Sequence, residues 1–230
     1  MKKRYSIASA CLAMTIAAAL AASLIGCGPK EKAPQLKRYD AQFLDLFDTV
    51  TSIVGYAKDE DTFRAYAQEL YDQLTIYHQL YDIYHEYEGM ANLKTINDQA
   101  GIAPVQVDEK IISMLKEAVA MNEKTGGYMN VAMGSVLSIW HQYRTEGIQD
   151  PEHAALPPME ELEAAAAYTD ISRMIIDEEA STVFLPDKEM SLDVGSIAKG
   201  YATEMACRSL EEDGLAYGLV SVGGNVRAIG

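Results

Sequence analysis

A twelve-residue stretch, SLDVGSIAKGYA at 191–202, constrains this chain most, because its hydrophobic period changes halfway along. Met190, Leu192 and Val194 alternate with Ser191 and Asp193, the period of a strand, whereas Ile197, Tyr201, Met205 and Leu210 recur on one side of a helix. The two halves predict a strand running into a helix, with Gly195 and Ser196 at the junction. A glycine there lets backbone approach a ligand, and the free N–H groups of a first helical turn carry a partial positive charge suited to phosphate. Asp193 at the strand end can accept hydrogen bonds or hold a metal. Lys199, one turn in, can reach an anion at the same helix start. The pattern also fits an ordinary strand-to-helix corner with a surface lysine. It is not a Walker A loop: the spacing of Gly195 and Gly200 fits, but Tyr201 stands where that motif needs lysine.

The N-terminus bears on compartment. Lys2, Lys3 and Arg4 precede an apolar run over residues 7–25 that ends in Leu24-Ile25-Gly26-Cys27. Residues 1–26 read as a secretory signal. The last four residues of the run resemble a bacterial lipobox, which makes Cys27 the lipidated first residue of the mature chain. An uncleaved membrane anchor competes, since the run is just long enough to span a bilayer, but a plain anchor gives a cysteine no reason to end the run. Either reading places the body outside the cytoplasm, held to the cell membrane on its extracytoplasmic face. Residues 27–38, polar and carrying Pro29 and Pro34, read as a tether. The domain is expected over 39–230.

Cleavage would remove three positive charges and no negative ones, taking the net charge from −15 to −18. So acidic a chain repels nucleic acid and anionic lipid, and membrane contact is left to the lipid anchor. With Cys11 cleaved off and Cys27 acylated, only Cys207 remains, which excludes an internal disulfide and a thiolate metal site. Cys207 falls within the expected helix and reads as a small core residue. His78, His85, His141 and His153 have no zinc-site spacing.

Along the chain, residues 46–56 (LFDTVTSIVGY) read as a strand and 61–82 as an amphipathic helix capped by Asp59 or Asp61. Residues 81–98, rich in Tyr, Gly and Asn, read as a loop. Asp108 caps a second helix that stops at Thr125-Gly126-Gly127. Residues 134–144 look helical, 148–158 form a connector, and 159–168 form a short alanine-rich helix. SRMIID and TVFL read as a hairpin about EEAS, and GLVSVGG with NVRAIG as two final strands about Gly223-Gly224.

Five blocks, LFDTVTSI, YDIYHEYEGMANLKTIN, TGGYMNVAMGSVLSIW, LDVGSIAKGYATE and VSVGGNVRAIG, occur in the order and approximate spacing of the ApbE family, the FAD:protein FMN transferases. The resemblance covers nearly all of residues 40–230. It implies an α+β fold of ApbE type, related to the T-fold, with a mixed sheet flanked by helices. It also implies a Mg2+-dependent enzyme that takes FAD, passes the FMN half to a threonine or serine hydroxyl of a partner protein and releases AMP. Two other functions fit the same residues: an FAD pyrophosphatase giving FMN and AMP, and a non-catalytic flavin- or nucleotide-binding lipoprotein.

Carried over by position, Phe47 stands where the family usually has methionine beside the flavin, and Asp48 where glycine is common. Tyr84 matches the aromatic lying on the isoalloxazine. Tyr128, Met129 and Asn130 match the FAD-contacting triplet after Gly-Gly, with asparagine where aspartate is frequent. Asp193 and Lys199 match FAD contacts of the corner, and Ser196 matches a contributor to the magnesium site. The resemblance identifies no catalytic residue. By the same likeness the partner is a flavin-acceptor protein of a membrane or extracellular electron-transfer system. In the family the other metal ligands come from a later motif, so the sequence is expected to be C-terminally incomplete.

Overall fold

Two short hairpins supply the framework, and the first begins before the sequence patterns predict. The computed structural model describes residues 35–230; the expected signal at 1–26, Cys27 and most of the tether lie outside the described residues. In chain order the strands are β1 (Lys37–Leu46), β2 (Thr49–Ala57), β3 (Val105–Gln106), β4 (Ile175–Asp177), β5 (Thr182–Phe184), β6 (Gly218–Val222) and β7 (Asn225–Ile229). The helices are α1 (Glu60–Leu80), α2 (Leu93–Asp98), α3 (Glu109–Lys124), α4 (Gly134–Gln149), α5 (Met159–Ala166) and α6 (Ala198–Glu212). The α+β class holds, with two sheets ordered β1-β2-β6-β7 and β3-β5-β4. Every strand pair among the described residues is antiparallel.

β1 takes in Lys37 and Arg38, which the sequence assigned to the tether, and pairs with β2 from Lys37 opposite Ala57 to Leu46 opposite Thr49. The connection is the two-residue turn Phe47-Asp48, both with left-handed backbone at φ 54° and 51°. Such turns match the right-handed twist of paired strands. Phe47, expected within a strand, therefore sits in a turn. Glycine adopts the conformation of Asp48 at no steric cost, which gives a physical reason for the family's glycine there. The second hairpin turns on Gly223 and Gly224, φ 55° and 93°. A Cβ on Gly223 would come within 2.7 Å of Thr49 Oγ1, so the two hairpin ends pack without room for a side chain.

Helices α1 and α6 cover one face of the four-stranded sheet. Asp59 caps α1 by accepting the Thr62 N–H, as expected, and Phe63, Ala67, Leu70, Leu74 and Tyr77 form its buried stripe. The buried stripe of α6 is Ala198, Ala202, Thr203, Ala206, Cys207 and Leu210. Cys207 is fully buried, and that burial pushes its thiol pKa up to about 12. It is a core residue, as its position in the helix predicted.

The segment read as a loop over 81–98 contains the short helix α2. Its cap is Asn92, whose side chain accepts from the Thr95 N–H while the Thr95 hydroxyl accepts from the Asn92 N–H. Asp108 caps α3, and Gly126 follows it at φ 64°. The β4–β5 hairpin forms as expected, and β3 adds to its β5 edge.

Residues 190–194 are extended, with Met190, Leu192 and Val194 buried as their alternation predicts, yet they are not a strand. Pairing comes from elsewhere. The Asn97 side chain donates to Leu192 O and accepts from Leu192 N–H, at 3.0 and 2.8 Å, in place of a neighbouring strand. Asp193 N–H donates to Val131 O, and Gly134 N–H donates to Ser191 O.

Candidate functional site

The β1–β2 turn, the segment after α1 and the 193–199 corner enclose a cavity of about 400 Å³. Its wall includes Phe47, Asp48, His78, Asp82, Tyr84, Asp193 and Lys199. Three distant pieces of chain thus bring four expected residues, Phe47, Tyr84, Asp193 and Lys199, to one space.

Each is positioned by a traceable contact. The Phe47 N–H donates to His78 Nδ1 on α1, and the Phe47 ring meets the imidazole edge-on at 5.3 Å. Tyr84 is carried by a turn built on Asp82. That carboxylate accepts from the N–H groups of Tyr84 and His85, from the Tyr87 hydroxyl and from His85 Nδ1, at 2.6 to 3.1 Å. Burial pushes the Asp82 pKa up, but the bonds to these donors outweigh it and hold the group below its ordinary value. The Tyr87 phenol moves the other way, up to about 12, through burial and then its bond to Asp82. Tyr84 itself is raised by burial and then by the nearby charge of Asp193.

At the corner, α6 starts three residues later than Gly195. Gly195 N–H is bonded to Asp193 Oδ1, and the N–H groups of Ile197 and Ala198 both donate to Val194 O. The turn therefore uses some of the donors that a bare helix start would offer a phosphate. Lys199 projects from the first turn of α6 to the cavity wall.

The other expected residues lie off the cavity wall. Asn130 caps the short 3-10 turn Val131–Met133, and its amide also donates to Thr169 O. Met129 packs against the core. Tyr128, on the loop set up by Gly126 and Gly127, is 97% exposed. Their segment still reaches the site indirectly, through the bond from Asp193 to Val131. Ser196 sits in the turn before α6, between the lining residues Gly195 and Ala198, without lining the cavity itself.

Among the described residues no three His, Cys, Asp or Glu side chains lie close enough to hold a metal ion. The described residues by themselves do not compose a magnesium shell. Sequence reasoning missed Asp82, His78 and His141. An aspartate just past a helix end, able to accept N–H groups two and three residues on, is a turn signal that could have revealed Asp82. The two histidines had no signal, since each acts across a tertiary contact.

An α+β domain with a cavity between a left-handed hairpin turn and a lysine-bearing corner defines the class. The ApbE family model matches residues 47–230, and the chain belongs to the ApbE family. A relative from Treponema pallidum, an FAD:protein FMN transferase, is 34% identical over 143 residues, 60% of this chain and 38% of that protein. An FAD:protein FMN transferase from Klebsiella pneumoniae is 30% identical over 135 residues, 59% of this chain and 40% of the relative. The chain thus spans about two fifths of the length of these relatives. Among solved structures, the ApbE protein of Thermotoga maritima superposes with a TM-score of 0.70 at 26% identity, covering 84% of this chain and 59% of that one. The flavin transferase ApbE of Vibrio cholerae shares the fold, at TM-score 0.70 and 21% identity, over 85% of this chain and 60% of its own.

Proposed function

We propose that this chain supplies the FAD-binding part of an FAD:protein FMN transferase, which moves the FMN moiety of FAD onto a threonine or serine hydroxyl of a partner protein and releases AMP. The observation that carries this reading is the convergence of Phe47, Tyr84, Asp193 and Lys199 on one cavity from segments far apart in sequence. Tyr84 offers a ring for the isoalloxazine, Lys199 a cation for the pyrophosphate, and Asp193 an acceptor for ligand N–H or O–H groups. In the transfer, a P–O bond forms to the acceptor hydroxyl oxygen as the pyrophosphate bond breaks, AMP leaves with the electron pair, and the hydroxyl proton passes to solvent. Magnesium dependence is part of the proposal. Its support is the resemblance together with the charge of the wall, where Asp48, Asp82 and Asp193 outnumber Lys199 and a dianionic pyrophosphate needs further positive charge.

The test is flavin binding followed by product analysis. Tyr84→Ala is expected to weaken FAD roughly ten- to hundredfold, from a stacking contribution of about 1–3 kcal/mol. Lys199→Ala is expected to lose about 1.5–3 kcal/mol of binding if it pairs with an FAD oxygen. Unchanged dissociation constants in both variants would sink the assignment. With magnesium and an acceptor protein present, FMN mass on the acceptor together with free AMP supports transfer. Free FMN with AMP points to a pyrophosphatase, and binding without AMP to a flavin-binding module.

Lipid attachment at Cys27 belongs to the same proposal, and its support is the basic residues, apolar run and cysteine at the N-terminus. The acceptor protein would then be met at the extracytoplasmic face of the cell membrane, within an electron-transfer system. Cys27→Ala is expected to leave an unprocessed precursor that takes up no labelled fatty acid. Equal labelling of that variant would refute the anchor.

A further inference from the structure

Tyr84 is 60% exposed, so packing covers less than half of its surface. Its main chain is fixed by Asp82. The tip of the ring is met from another element: His141, on α4, places Nδ1 at 3.2 Å from the Tyr84 hydroxyl. The two rings are 6.3 Å apart and tilted by 43°, so the contact is through the polar atoms and not through stacking. On its far side, His141 Nε2 faces Asp193 Oδ2 at 3.9 Å. Asp193 Oδ1 already accepts the Gly195 N–H, so Oδ2 is the oxygen left to face the imidazole and the cavity. Arg144, one turn further along α4, and the carboxylates of Asp48 and Asp82 also act on Tyr84. His141 faces both Tyr84 and Asp193, at 3.2 and 3.9 Å. It does not line the cavity itself but meets two residues that do.

We propose that His141 is a positioning residue that holds the Tyr84 ring and the Asp193 carboxylate in a fixed relation across the cavity. The flavin part of this assignment rests on the function proposed above; the bridge between Tyr84 and Asp193 does not. A phenol with two free torsions pays an ordering cost when a flat ligand stacks on it, and tying down its hydroxyl beforehand removes much of that cost. The same imidazole keeps the Asp193 carboxylate near the corner that carries Lys199. One residue thus preorganises a stacking surface and a polar contact together.

A double-mutant cycle on the full purified chain reads the coupling directly. Tyr84→Phe keeps the ring and removes the hydroxyl that His141 engages, and His141→Ala removes the imidazole. Each is expected to weaken FAD binding about tenfold, and the double variant no further than either alone. His141→Asn, whose amide can meet the Tyr84 hydroxyl near the place of Nδ1, is expected to bind within about threefold of the wild type. A purely structural role would give additive losses and no rescue by asparagine, and that result overturns the proposal, as does wild-type affinity in His141→Ala. Amide hydrogen exchange without ligand supplies an independent arm: residues 82–92 are expected to exchange faster in His141→Ala and in Tyr84→Phe. Unchanged exchange in both variants overturns the bridge. A wild-type chain that fails to bind FAD counts against the flavin reading alone, and the exchange result then decides the bridge.

Discussion

Asp82→Ala is expected to cost at least about 3 kcal/mol of local stability and to abolish measurable FAD binding. One carboxylate, its side chain only 7% exposed, accepts from two backbone N–H groups, one phenol and one imidazole. Hydrogen bonds to a charged group contribute about 1.5–3 kcal/mol, and removing the acceptor leaves several donors without a partner at once. The segment that carries Tyr84 would lose its shape while the core of α1 and α6 stayed intact. Hydrogen exchange should therefore show a local opening at 82–92, with near-wild-type protection of the sheet. The pH dependence follows from the direction of the shift. The Asp82 pKa is lowered from 3.8, so its stabilisation is fully present above that value and is lost as pH falls through the lower folded-state pKa. Asp82→Asn keeps the size and removes the charge, so its loop should open without that acid dependence. Wild-type exchange rates in Asp82→Ala would refute the role given to this residue.

Gly134→Ala is expected to lower the unfolding free energy by about 3 kcal/mol, the upper part of the range for forcing extra atoms into a packed interior. The glycine begins α4, and its backbone is ordinary helix, so conformational freedom is not the reason for it. The reason is space. A Cβ there would lie 2.5 Å from Ser191 O and 2.6 Å from Ser191 C, atoms of backbone that cannot swing aside. The clash falls where Gly134 N–H bonds Ser191 O, one of the few bonds that hold residues 190–194 in place. The damage should reach the cavity, because Asp193 is two residues on. Denaturant unfolding measures the first effect and flavin affinity the second. A fully stable Gly134→Ala protein would show that α4 can shift away from the corner.

What the sequence could and could not disclose divides along the range of the interactions. Helix starts at Asp59 and Asp108 were legible because a cap bonds its own first turn. The burial of Met190, Leu192 and Val194 was legible from alternation, but alternation says nothing about what pairs with the backbone. Here the partner is a side-chain amide, so a stretch with strand-like burial is no strand. The same limit hid β1, because a strand with most of one face in water carries a weak apolar signal. At the site, the resemblance named Phe47, Tyr84, Asp193 and Lys199, and the structure gathers them at one cavity. It leaves Tyr128, Met129, Asn130 and Ser196 off the wall. Of the residues that hold Tyr84 in place, Asp82 carries a local turn signal that belongs to none of the motifs, and His141 acts across a tertiary contact that no motif marks.

The pairing of Asn97 with Leu192 spans 95 residues of chain. Loop-closure entropy must be met before so distant a contact can repay it, so this joint is expected to close after α1 and the β1–β2 hairpin, which form from nearby partners. The corner's local bonds, from Gly195 to Asp193 and from Ile197 and Ala198 to Val194, shape its turn but do not attach it to the rest of the cavity. A partly folded chain can therefore own its helices and first hairpin and still have no place for a ligand: the cavity comes into being only with the completed topology.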